Sequence, residues 1–350
     1  MIFRRNSKSK SNLAVGLDFG ARQLKAAVIQ RSGEKFLLIE YAMSPWHFSP
    51  GNSGGEQAAA EQLQQLLNGL RATQRSVRAT VSCPSAVVAH TDFPRMPAAE
   101  AKSALRLNSA RYLRRDFSDY YFDATELIEP AGEKKAGKSS RMNILVAAAS
   151  KSEVTWYRNV LAMARLHPQA IELAAVSVVN AFQLGEPEIS ANEVVLLLDI
   201  GAQFTTMNFL RQGQLLFTRI MQFGGGHVTD YVAQTLTIQP QEAEQEKLQM
   251  TEVAQTLIRS ALTPLAKELR SSIDFFERQH DCRVSKALAC GGSACSGKFL
   301  DLLSDEAGIR LEAWNPVRNF DTTALNGARA SLESLAPSLA AAVGAAAASL

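Results

Sequence analysis

Two aspartates in this chain stand where a carboxylate can meet a metal-bound phosphate chain. Asp18 closes the run Leu13–Leu17 and is followed by Phe19 and Gly20; Asp199 closes Val194–Leu198 and is followed by Ile200 and Gly201. Each run reads as a buried strand. The glycine lets the backbone turn tightly and approach a ligand without a Cβ in the way. A third glycine cluster, Gly224-Gly225-Gly226, precedes a helical segment, and a fourth, Gly291-Gly292-Ser293, ends the apolar run Val284–Cys290. Phosphate oxygens need a cation and backbone N–H groups, and such turns expose them. Lys25 lies on the strand leaving the first turn. It is either a point charge for terminal phosphates or a solvated strand lysine. Glu172 precedes an apolar helix, Leu173–Phe182. There it is a cap or dipole partner, or, if the helix enters a cleft, a candidate to orient a water. Glu244 and Lys247 are spaced one helical turn apart, as an i,i+3 ion pair.

The elements that would hold these residues occur twice. Residues 13–43 and 194–221 share the order strand, Asp-x-Gly, strand, turn, strand. Asp18 aligns with Asp199, Gly20 with Gly201, Ala21 with Ala202, and Gly33 falls within one residue of Gly213. A repeat of this kind predicts two related half-domains facing each other across a cleft.

Between the repeats the pattern predicts a helix over 58–70, strands over 77–81, 87–93, 120–127 and 143–149, and a helix from Pro97 to about Leu113 carrying Arg106, Arg111, Arg114 and Arg115. These pieces read as an inserted β/α subdomain over 79–165. The arginine face is solvated or docks an acidic partner. After the second repeat come helices over 228–236, from Gln239, over 250–278 and over 298–303, with an Ala-rich core helix over 335–350. The 350 residues suit two to three domains at roughly 100–200 residues each. The net charge of +3 does not point to nucleic acid. Four cysteines without CxxC spacing fit a reducing, cytoplasmic compartment. Residues 1–12 form a basic tail with Arg4, Arg5, Lys8 and Lys10, read as disordered or weakly attracted to an anionic membrane. No apolar signal region follows it, and no run approaches a membrane span.

The order of these pieces resembles the actin-like ATPase superfamily: phosphate-1 at Asp18-Phe19-Gly20, phosphate-2 at Asp199-Ile200-Gly201, an adenosine motif at Gly291-Gly292-Ser293, and connecting helices at 171–182 and 336–350. Within it, GLDFGARQLKAAVI, LDIGAQFTTMNFLRQGQLLFTRIMQFGGGHVTD, EAEQEK, SSIDFFERQ and the 92–117 segment are similar to the PilM family of type IV pilus assembly. The resemblance implies an α/β, actin-like (ribonuclease H-like) duplicated fold of FtsA-like plan, with a nucleotide cleft between the halves. The parts would be residues 13–78, the insert 79–165, a connecting helix 166–192, the second half 193–335 and a second connecting helix 336–350.

The resemblance also implies ATP and Mg²⁺ as cofactors, with Asp18 and Asp199 positioning the metal and Lys25 on phosphate. Gly201, Gly224 and Gly225 would line the phosphate path, Glu244 and Lys247 would contact adenosine, and Gly292 and Ser293 would lie at the base. Further contacts would fall on Gly20, Ala21, Arg22, Gln23, Ala202, Thr205, Gly226 and Gly291. The implied partner is the cytoplasmic N-terminal segment of a PilN-like inner-membrane protein, beside other pilus assembly proteins. Ala21-Arg22-Gln23 and Phe204 depart from the small residues usual in that family. Three readings follow: an ATP-binding scaffold with slow or absent turnover, a pseudo-ATPase that binds partners only, and a small-molecule kinase.

Overall fold

The computed structural model describes residues 12–51, 55–71, 74–127 and 141–350. The basic tail before residue 12 and the polar loop at 132–140 lie outside them. The chain opens with strands β1 (Leu13–Phe19), β2 (Gln23–Ser32) and β3 (Lys35–Pro45). Strand β4 (Ser76–Val81) follows the helix Gly55–Asn68. Strands β5 (Val87–Pro94), β6 (Tyr120–Leu127) and β7 (Arg141–Ser150) form a separate antiparallel sheet in the order β5-β7-β6. Strand β8 (His167–Leu173) returns to the first sheet, whose order is β3-β2-β1-β4-β8. The second sheet has the order β11-β10-β9-β12-β13, from β9 (Val194–Ile200), β10 (Thr205–Arg211), β11 (Gln214–Met221), β12 (Lys286–Cys290) and β13 (Glu312–Ala313).

The two large sheets share one plan, an antiparallel meander followed by parallel strands. Both hairpins turn through left-handed backbone, at Gly33 and at Gln212-Gly213, where glycine carries no steric penalty. Between the sheets lie two connecting helices, Ala174–Gly185 and the C-terminal run through Ala340–Ala347. One apolar core joins Val178 and Phe182, Ala342 and Ala346, Ala27 of the first sheet, and Val195 and Leu197 of the second. Close approach there demands missing side chains. A Cβ on Gly344 would overlap the Ser177 carbonyl, and one on Gly16 would overlap the Ala342 carbonyl.

The helical run Arg329–Ala347 reaches 19 residues and passes the length and composition test for a membrane span. Its residues fill the core between the sheets instead, and 67% of the apolar window is buried. The outer faces of the two sheets have cores of their own. Leu63, Trp156 and Val160 cover the first, while Val232, Leu262, Leu269 and Phe299 cover the second.

Several boundaries differ from the sequence pattern. Strand β4 and the helix Lys151–Met163 pack with the first sheet, so the separate insert sheet is confined to 87–150. The helix expected over 97–113 breaks at Asn108 into Ala98–Leu107 and Ser109–Leu113. Asn108 turns its side chain back to the Ala104 carbonyl at 3.2 Å, a local bond that competes with helix continuation. Glu172 lies within β8 and not at a helix start.

Candidate functional site

The repeated turns build the site. In each, a glycine N–H donates to a carbonyl three residues on: Gly20 to Gln23 at 3.1 Å, and Gly201 to Phe204 at 2.9 Å. The residues at the two tips, Ala21-Arg22 and Ala202-Gln203, leave backbone N–H groups that make no hydrogen bond to any described residue. Strand pairing then sets what stands beside each aspartate. Asp18 pairs in register with Lys25, and Asp199 with Thr206. Lys25 Nζ donates to Asp18 Oδ2 at 2.8 Å, with both side chains buried.

Burial works against the charge on Lys25, but Asp18 outweighs it and, with help from Asp199, holds the ammonium above its ordinary pKa. Asp199 has no such lysine of its own. Burial first, and then the like charge of Asp18, push it up to about 6, with Lys25 acting in the opposite sense. Gly291, at φ 89°, faces this carboxylate so closely that a Cβ would lie 2.5 Å from Asp199 Oδ1. The ends of β1, β9 and β12 thus bring Asp18, Lys25, Asp199 and Gly291 together.

Opposite them, the helix Gly225–Leu236 starts at the glycine cluster. Its first N–H groups are already engaged, Gly225 with the Gly201 carbonyl at 2.9 Å and Gly226 with that of Ala202 at 2.8 Å. Gly224 donates to His227 Nδ1 at 3.2 Å. The expectation that this loop offers free donors is therefore corrected: the donors lie at the tips of the two Asp-x-Gly turns. Thr205 is also committed, its hydroxyl donating to the Phe223 carbonyl at 2.8 Å. A Cβ on Gly225 would collide with Ser293 Oγ, so the adenosine-motif turn meets the glycine helix here. Gly292 has open space around its Cα.

Glu244 and Lys247 form the expected pair at 2.8 Å, but inside a larger cluster. Lys247 Nζ also donates to Thr229 Oγ1 at 2.8 Å and the Gly225 carbonyl at 3.1 Å. Thr229 Oγ1 donates to Glu244 Oε2 at 2.5 Å. Burial lowers the Lys247 pKa below its usual value. Burial opposes ionisation of Glu244 too, but Lys247, Thr229 and Arg22 together hold its pKa low. Arg22 reaches this cluster from the first turn: its Nη1 lies 2.9 Å from Glu244 Oε2. The pairing spans 222 residues, and sequence spacing carries no signal for it.

Glu172 does not join this group. It is buried in an ion pair with Arg78, accepts from Ser177 Oγ at 3.1 Å, and has Asn180 Nδ2 at 3.5 Å. Burial raises its pKa even against Arg78. The carboxylate expected to orient a water is thus engaged by Arg78. Sequence spacing carries no sign of Arg78 as the partner, since only strand register sets it against Ala170, two residues from Glu172 on the same strand. Glu172 instead borders a cavity of about 370 Å³ between the insert and the first sheet, with Tyr121 and Phe122 of β6, Val154 and Arg158 of the 151–163 helix, and Pro168 and Ile171 of β8.

The family described as type IV pilus assembly protein PilM matches residues 16–349. The chain belongs to the PilM family. Among solved structures, a PilM-PilN type IV pilus biogenesis complex is 25% identical with a TM-score of 0.84, over 97% of this chain and 98% of the other. The ethanolamine utilization protein EutJ from Carboxydothermus hydrogenoformans is 14% identical with a TM-score of 0.59, over 97% of this chain and 91% of its own. MreB 5 of Spiroplasma citri, bound to AMPPNP, is 11% identical with a TM-score of 0.50, over 93% of this chain and 98% of its own. These last two likenesses concern the fold alone. The fold is actin-like, as the sequence resemblance implied.

Proposed function

We propose that this chain is a cytoplasmic, ATP-binding scaffold of type IV pilus assembly that holds an extended segment of a PilN-like membrane protein. The observation that carries the nucleotide part is the pair of mirrored turns. Their tips carry backbone N–H groups that bond to no described residue, next to Asp18, Lys25 and Asp199. The residues fit a magnesium nucleotide. Two carboxylates would hold Mg²⁺, which keeps waters and takes further oxygens from phosphate. No cluster of three or more His, Cys, Asp or Glu exists among the described residues. Lys25 would meet phosphate as a point charge, and Gly291 and Ser293 would leave room for the nucleoside beside Glu244 and Lys247. Bound Mg·ATP would supply negative charge that joins the two half-domains, and so bias their relative angle.

Turnover is slow or absent in this reading, because phosphoryl transfer needs a placed nucleophile and Glu172 is tied to Arg78. For the partner, the likeness to the PilM-PilN complex supports a PilN-like segment. The cavity beside β6 and β8 suits it, since an extended peptide gains affinity from backbone pairing at a sheet edge and register from apolar pockets. That reading puts the dock on the β6 side of the insert. The other edge of the insert sheet, β5, has no such cavity described beside it.

A second reading, a scaffold without nucleotide, has one observation in its favour. Arg22 bridges to Glu244 while Gly225 and Gly226 are bonded to the second turn. Calorimetry with ATP and Mg²⁺ separates the two. The first reading expects binding by the native chain and at least about tenfold weaker binding by Asp199→Ala, some 1.4 kcal/mol. Equal affinity in that variant removes the metal role, and no binding by the native chain selects the second reading.

A further inference from the structure

The broken helix of the insert ends in a cationic, leucine-tipped surface that neither the nucleotide site nor the peptide cavity uses. Leu107, the last residue of the helix Ala98–Leu107, is 83% exposed, the highest value among the large apolar side chains described as exposed. Arg106 precedes it, and Arg111, Arg114 and Arg115 follow within eight residues across the helix break, all exposed. None of the four has an ion-pair partner among the described residues. Three lie over aromatic rings: Arg106 over Phe122 at 5.7 Å, Arg111 over Tyr112 at 5.6 Å, and Arg115 over Tyr120 at 5.3 Å. Such stacking holds a guanidinium at the surface while leaving its edge N–H groups to bind oxygen anions.

Of the acids nearby, two are paired elsewhere, and Asp116 and Asp119 lie in the loop after Arg115. Asp123 pairs with Lys102 and Glu126 with Arg95. Asp116 accepts from Ser118. No acidic residue occurs from Lys102 to Arg115.

From this juxtaposition we infer that the helix-break surface of the insert contacts the anionic headgroup layer of a lipid bilayer. An exposed leucine within eight residues of four arginines that have no ion-pair partner among the described residues combines the two terms of interfacial binding, an apolar side chain for the acyl boundary and cations for lipid phosphates. An acidic protein partner would use the cations, but it would leave Leu107 without a reason to stand in water. The contact is weak by itself and adds to whatever tether a membrane partner supplies.

The test is co-sedimentation of the full chain with vesicles of phosphatidylcholine alone and of phosphatidylcholine mixed with phosphatidylglycerol. Binding to the anionic vesicles only, declining with salt, is expected. Arg114→Asn suits the left-handed backbone at that position (φ 53°) and preserves the turn while removing charge. It should weaken binding about fivefold, the effect of one basic residue near a charged membrane. Leu107→Gln should weaken it further, with an unchanged thermal midpoint for both variants. A third protein, with Arg4, Arg5, Lys8 and Lys10 changed to Gln, separates the N-terminal tail from the patch. Loss of binding in that protein alone, with Arg114→Asn and Leu107→Gln binding like the native chain, overturns the inference. So does failure of the native chain to bind anionic vesicles, and so does loss in the patch variants of an acidic soluble partner without any vesicle binding.

Discussion

The two Asp-x-Gly turns have the same backbone and opposite electrostatics. In each, the aspartate faces the residue seven positions on across the hairpin: Lys25 for Asp18, Thr206 for Asp199. One side chain therefore decides the difference. Asp18 has a buried counter-ion at 2.8 Å, whereas for Asp199 burial and the charge of Asp18 outweigh the more distant help of Lys25, and its pKa rises to about 6. The first turn is neutralised within its own half-domain. The second is left under-compensated until a cation arrives. A duplicated scaffold can in this way be rigid on one wall and responsive on the other.

Lys25→Met should erase this contrast at the greatest cost. It leaves Asp18 buried without its partner, and loss of one member of a buried pair costs about 3–5 kcal/mol. Urea unfolding checks this, and a loss below about 1 kcal/mol would show that Asp18 is solvated and the two turns alike. The next effect has the opposite sign. Asp199 is raised from 3.8 in the unfolded chain to about 6 in the fold, so the folded state binds the extra proton. That contribution is fully present below pH 4 and is lost as pH rises through 6. Asp199→Asn should therefore stabilise the ligand-free protein at pH 7, by a shift worth on the order of 3 kcal/mol. It should also remove the native chain's decline in stability between about pH 4 and 6. Denaturation midpoints across that range decide it, and a destabilised variant at pH 7 would refute the argument.

Magnesium-dependent nucleotide binding probes the second turn from the other direction, since a cation favours the carboxylate. Affinity measured by calorimetry should fall as pH drops through 6 in the native chain. A flat profile would exclude Asp199 as the metal-holding group. The smallest effect belongs to Arg22→Ala. Its bridge to Glu244 is half-exposed, and such pairs contribute less than about 1 kcal/mol. Thermal unfolding should hardly change, and a large loss would make the bridge a structural link between the halves.

Local pattern alone determined the repeat, both hairpins, the glycine turns and the central helices. Val194–Leu198 is apolar throughout and Ala174–Phe182 is apolar but for Ser177 and Asn180, because both faces of each are covered, and period and composition record that directly. Asp18 with Lys25 was within reach too, since a hairpin puts residues equidistant from its turn side by side. What tertiary structure decided were pairings with no period. Arg78 met Glu172 through a parallel strand 94 residues away, and Arg22 met Glu244 across 222. The donors of Gly225 and Gly226 went to the Gly201 and Ala202 carbonyls. A sequence records which groups need partners when buried, because that cost is local. Which partner satisfies them depends on how the sheets and helices close around the core.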